Sequence, residues 1–190
     1  MVRGFIVVMC FSTSALLAQQ ADYIRPGLIK LGTTISPGIM LNRPATNYYI
    51  SGFLEGFLDK KISLRGETHF FIDGAEDVPY FKNNLRTNFG MAMHQNRNNL
   101  DFHLALMPGV AIMEVNGDRG LDGKQNIHVV PSVSVNVGMT FYVWKIFNFF
   151  AEANYMHSTI NSLGGIDGRS DEILISAGLS FNVNLIRAKK

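Results

Sequence analysis

Eight segments of this chain alternate polar and apolar residues at period two, and the connections between them alternate short and long. The segments run from Gly27 to Leu41, Asn47 to Leu58, Lys61 to Ile72, Asn83 to Gln95, Asn99 to Glu114, Ile127 to Trp144, Phe147 to Ile160 and Glu172 to Leu185. Successive side chains of an extended strand point to opposite faces, so each segment carries one apolar and one polar face. None has the 3.6-residue period of an amphipathic helix. The tight connections are Asp59-Lys60, Asn96-Arg97-Asn98 and Lys145-Ile146, and the longer ones run Asn42 to Thr46, Asp73 to Lys82, Val115 to Asn126 and Asn161 to Asp171. This pattern predicts an all-β fold, an eight-stranded antiparallel up-and-down transmembrane β-barrel. Its short turns and both chain ends share one side of the membrane, and its four long loops share the other.

Charge decides which face meets lipid, because Arg or Lys on the lipid face at the bilayer midplane costs roughly 2 to 4 kcal/mol. In the third segment Ile62, Leu64, Gly66, Thr68, Phe70 and Ile72 share one face, and Lys61, Ser63, Arg65, Glu67 and His69 the other. The apolar set must face outward. By the same test the sixth segment turns Val129, Val133, Val135 and Val137 outward and Ser132, Ser134 and Asn136 inward. A soluble ligand-binding barrel has the same period with its apolar face inside. Two features argue against that inversion. Every segment reaches the roughly 9 to 11 residues a tilted transmembrane strand needs. Aromatic residues also gather at both ends: Phe57, Phe141, Tyr142, Trp144, Phe147, Phe149 and Phe150 at the turn end, and Tyr48, Tyr49, Phe70, Phe71, Tyr80 and Phe81 at the loop end. They read as girdles at two membrane interfaces.

Such a barrel has to be exported, and the start of the chain has the form of a secretory leader. Arg3 is its basic start, Phe5 to Phe11 its apolar stretch and Ser12 to Ala18 its small-residue region. The expected organisation is a signal peptide over 1–18 and one barrel domain over 19–190. Cys10, the only cysteine, leaves with the leader, so the closed hydrogen-bond ladder has to supply the stability that disulfides give other exported proteins. The formal net charge of +2 gives no field that recommends nucleic acid as a partner. Arg187, Lys189 and Lys190 read as a solvated basic tail.

With its leader, eight amphipathic strands and alternating connections, the chain resembles the small outer-membrane β-barrel proteins related to the OmpA membrane domain and OmpX. The resemblance covers nearly the whole length after the leader and rests on pattern. It departs at the C-terminus, where such proteins commonly end on an aromatic and this chain continues from Phe181 through Asn182 to Lys190. It implies localisation in the bacterial outer membrane, with outer-membrane lipid and lipopolysaccharide as partners and the loops available to a protein ligand outside the cell.

An eight-stranded interior is just wide enough for side chains to fill, which excludes a wide diffusion porin. The inward set includes Lys30, Glu55, Arg65, Glu67, Arg86, Asp101, His103 and Glu152, a mixed-sign network whose members have to pair where water is excluded. The expectation is a polar plug that holds the barrel in shape, with a narrow solute or ion path as the alternative use. For catalysis the candidate set is His157, Thr159 and Glu172 at the loop end of the last two segments: an imidazole, a hydroxyl and a carboxylate, the parts of an activated nucleophile. Parity puts His157 and Thr159 on the outward face and Ser158 inward. This set is faintly similar to that of the outer-membrane lipid A deacylases, with Thr159 where they have Ser. His69, His94, His103 and His128 lack metal-ligand spacing, and Asn116, Asp118 and Asp122 lack the rest of a calcium loop, so no metal and no cofactor is expected. The function expected from the sequence is therefore that of a structural or interaction protein, with a lipid-modifying hydrolase or a low-conductance channel as alternatives.

Overall fold

The computed structural model describes residues 23–119, 125–160 and 168–184. The expected leader with Cys10 and the basic tail lie outside the described residues, as do 120–124 and 161–167 of the two Gly-rich loops. Nine strands form: β1 (Leu28–Met40), β2 (Thr46–Phe57), β3 (Ile62–Gly74), β4 (Phe81–Arg97), β5 (Leu100–Arg119), β6 (Gln125–Tyr142), β7 (Phe147–Ile160), the two-residue β8 (Gly168–Arg169) and β9 (Glu172–Asn184). Each long strand pairs antiparallel with the next, β7 pairs with β6 and β9, and β9 pairs back with β1. The sheet is thus closed, leaving no open edge in the apolar zone, which is the condition for strands to cross a bilayer. β8 is a short pairing on the end of β7, where Thr159 lies opposite Arg169.

The closing seam joins Leu28–Gly32 to Ser180–Asn184 and Gly38–Met40 to Glu172–Leu174. Between these stretches Pro37 has no N–H to give, and side chains bridge the strands. Thr34 Oγ1 donates to the Ala177 carbonyl at 2.7 Å, and the Ser36 and Ser176 hydroxyls meet at 2.6 Å. At the β4–β5 turn Asn98 adopts φ 55°, a left-handed conformation that Asn tolerates better than most residues.

Burial alternates along every barrel strand, with apolar residues outside and polar residues inside. Leu54, Leu106, Val137 and Ile175 are each more than half exposed, whereas Arg65, Arg86, Lys30 and Glu55 are fully buried. This is the inverse of a water-soluble barrel, and it confirms the transmembrane orientation.

Two expectations need correction. The long connection from Val115 to Asn126 is largely strand: β5 runs on to Arg119, where it pairs with Gln125 after an irregularity beyond Glu114. Neighbouring backbone carries it that far, with the Asn116 amide donating to the Tyr80 carbonyl. The aromatic girdles are also only half girdle. Tyr48, Phe70, Phe141 and Phe149 face outward, but their neighbours Tyr49, Phe71, Tyr142 and Phe150 are buried inside, as are Phe57 and Phe81. Adjacent residues on a strand cannot share a face, so one of each aromatic pair must enter the lumen.

Those inward aromatics build an apolar cluster toward each end of the lumen. At the loop end Tyr49, Phe71 and Phe81 pack with Met40, Met113, Met156 and Leu174. At the turn end Phe57 and Tyr142 pack with Ile24 and Leu28, and Tyr23 stacks on Tyr142 with ring centroids 5.3 Å apart.

Candidate functional site

Between these two apolar plugs lies a charged core centred on Arg65. Its Nε donates to Glu67 Oε1 at 2.7 Å and its Nη2 to Glu152 Oε2 at 2.6 Å, and Nη1 lies 3.5 Å from Glu55 Oε2. The guanidinium also stacks over Phe53, 4.1 Å from the ring centroid. The register brings two of these carboxylates to Arg65: Glu55 lies opposite it across β2 and β3, and Glu67 follows two residues on along the same face, whereas Glu152 reaches it across the lumen from β7. Lys30, opposite Glu55 across β1 and β2, brings its Nζ to 2.6 Å from Glu55 Oε2.

Toward the turn end His94 lies between two carboxylates, with Nε2 3.1 Å from Glu55 Oε1 and Nδ1 2.9 Å from Asp101 Oδ2. Toward the middle Glu67 accepts hydrogen bonds from Asn136 at 3.0 Å and from Asn154, and His69 Nε2 lies 3.4 Å away. His103 Nε2 reaches Asn136 Oδ1 at 3.0 Å and lies 3.6 Å from Glu152. The void left among Ser51, Phe53, Glu67, His69, Phe150 and Glu152 has no room for a water molecule.

All eight residues expected inside are there, but they do not form one cluster. Lys30, Glu55, Arg65, Glu67, Asp101, His103 and Glu152 are linked through the contacts above. Arg86 belongs to a second group nearer the loops, where its Nη2 donates to Ser170 Oγ at 2.6 Å and lies 3.3 Å from Glu172 Oε2. The same Glu172 accepts from Asn47 and from the Tyr49 hydroxyl, both at 2.8 Å. His94, Asn136 and Asn154 also belong to the network, beyond the charged set expected from the sequence. Parity alone places them on the inner face, but only proximity across the lumen shows that they satisfy the carboxylates.

Glu172 therefore does not join His157 and Thr159, because it points into the lumen and they point out. Asp171, one residue earlier and on the opposite face, takes its place. His157 Nδ1 contacts Asp171 Oδ1, and Thr159 Oγ1 lies 3.5 Å from His157 Nε2. Asn42 Nδ2 donates to Asp171 Oδ2 at 3.3 Å. Partial burial raises the carboxyl pKa of Asp171. The hydrogen bonds from His157 and Asn42, with the charges of His157 and Arg169, outweigh that and hold it below the usual aspartate value. Ser158 is buried on the inner face, as parity predicts.

No protein-family model matches the chain, and no curated protein sequence does. Solved structures match well in shape. The N-terminal β-barrel domain of Pseudomonas aeruginosa OprF aligns with a TM-score of 0.52 at 14% identity, covering 83% of this chain and 98% of that one. Neisserial surface protein A aligns at 0.57 and 10% identity, covering 81% and 95%. The outer-membrane protein OprG of Pseudomonas aeruginosa aligns at 0.57 and 8% identity, covering 84% and 97%. This is the fold of the small outer-membrane β-barrels. The likeness spans the barrel from end to end, and at these identities it speaks for architecture alone, since a shared fold does not carry a shared function.

Proposed function

We propose that this protein is a structural or interaction barrel of the bacterial outer membrane that blocks its own pore and acts through its exterior. The observation that carries this reading is the lumen: a charged core, in which Lys30 and Arg65 meet Glu55, Glu67 and Glu152, between two apolar plugs. A conducting path needs a continuous column of water, and rings at both ends interrupt it. The surface left for partners is the loop end, which carries exposed Asp73, Asp77 and Arg169, with Arg43 stacked 3.7 Å over the Tyr80 ring. Mixed charge of this kind suits cation-bridged lipopolysaccharide or a protein ligand outside the cell.

The test is expression in a Gram-negative host, membrane fractionation, comparison of boiled and unboiled detergent samples on a gel, and planar-bilayer recording of the purified barrel. Recovery in the outer-membrane fraction with a heat-dependent mobility shift and no resolved conductance steps is the expected result. Stable unitary conductance that changes on Arg65 substitution would establish a channel instead.

A further inference from the structure

We propose that Thr159, His157 and Asp171 form a hydrolytic site that cleaves an ester-linked acyl chain from a lipid of the outer leaflet. The proposal rests on the outer-membrane placement above, since it needs the loop end of the barrel to face that leaflet. Three observations meet here. The three side chains are linked in the order carboxylate, imidazole, hydroxyl, with Asp171 on His157 Nδ1 and Thr159 on His157 Nε2. A carboxylate on Nδ1 fixes the tautomer that leaves Nε2 free to take a proton. The 3.5 Å gap to Thr159 Oγ1 is the loose spacing common before substrate binds.

The second observation is position. Along β7 the outward residues run Phe149, Ala151, Ala153, Tyr155, His157 and Thr159, so the pair stands one and two steps beyond an outward tyrosine at the loop end. Outward tyrosines mark the level where hydrocarbon gives way to headgroups, which is where acyl esters lie. The third is charge: exposed Arg169 lies opposite Thr159 across β7 and β8, placing a cation where a lipid phosphate would sit. Asn42 holds Asp171 independently of His157, so the carboxylate stays in place while the imidazole changes protonation.

The step balances with water as the only co-reactant. Thr159 Oγ adds to the ester carbonyl carbon as His157 Nε2 takes its proton. The tetrahedral oxyanion collapses, the bond to the lipid alcohol breaks, and His157 returns the proton to the leaving oxygen. Water, giving its proton to His157, then attacks the acyl-threonine, the fatty acid leaves, and the proton goes back to Thr159. Asp171 acts through His157 and is a positioning residue.

The experiment uses the full chain refolded into vesicles of phosphatidylethanolamine and phosphatidylglycerol, with and without lipopolysaccharide, and measures free fatty acid by mass spectrometry. Release from one set identifies whether phospholipid or glycolipid supplies the ester. The expected result is release that falls at least about a hundredfold in Thr159→Val and in His157→Gln while the heat-dependent gel shift is unchanged. Asp171→Asn should also slow release and move its pH profile, and Asp171→Glu should restore both. A fluorophosphonate probe should label the wild-type chain at Thr159 and leave His157→Gln unlabelled. Release that persists in Thr159→Val, or no release from either set by a heat-modifiable barrel, overturns the proposal. A chain that never becomes heat-modifiable overturns the membrane reading first, and this proposal with it.

Discussion

Removing the Arg65 charge is the sharpest probe of the barrel interior. Arg65 is fully buried and meets three carboxylates, Glu55, Glu67 and Glu152. In Arg65→Met, Glu55 keeps Lys30 at 2.6 Å, and Glu67 keeps Asn136, Asn154 and His69. Glu152 keeps only the more distant His103, at 3.6 Å. The substitution therefore leaves one carboxylate nearly uncompensated in a site without room for water. Breaking a buried ion pair by removing one partner costs about 3 to 5 kcal/mol. That corresponds to a fall of roughly a hundredfold to a few thousandfold in the folding equilibrium constant. Urea titration in lipid vesicles, followed by the fluorescence of Trp144, the only tryptophan, should show the loss as a lower midpoint at unchanged slope. Arg65→Met combined with Glu152→Met should recover part of it, because an apolar pair of similar volume replaces a buried ion pair at little cost. A loss below about 1 kcal/mol for the single substitution would show that water reaches the core, and the sealed-lumen argument would fail.

Leu106→Arg, on an outward residue well inside β5, should cost roughly 2 to 4 kcal/mol in vesicles, and an effect near zero would remove lipid from that face. Gly90→Ala should destabilise by about 1 to 3 kcal/mol, because the new methyl would meet the Leu106 carbonyl oxygen at 2.0 Å and backbone cannot step aside; Gly52→Ala, with its nearest contact at 3.7 Å, serves as the near-neutral control in the same urea titration. The Asp171 pKa lies below its unfolded value, so the contact with His157 contributes fully above the ordinary aspartate range and is lost as pH falls through the depressed value. Imidazole NMR shifts of His157 should therefore change below about pH 4 in the wild type and not in Asp171→Asn.

The sequence by itself determined the strands and their faces. Period-two alternation is local, so burying Arg65 and exposing Leu64 follows from parity and the cost of a charge in lipid, and β7 has the very ends predicted, Phe147 and Ile160. Parity also put His157 and Thr159 outside and all eight expected lumen residues inside. It foretold half of the girdles and lost the rest, since an aromatic pair such as Tyr48 and Tyr49 must divide between the faces. Only closure of the sheet decided who meets whom. Arg65 and Glu152 stand 87 residues apart, and Tyr49 and Glu172 stand 123 apart, so their contacts exist only once β9 has returned to β1. The rim turned on a single residue, as Asp171 and Glu172 are chemically alike and adjacent. Parity sends the second inside, since Glu172 opens β9 on the same face as Ser176 and Ser180; only the fold shows that it meets Arg86 there and that Asp171, just before the ladder, turns out to His157, because those partners lie on other strands far along the chain.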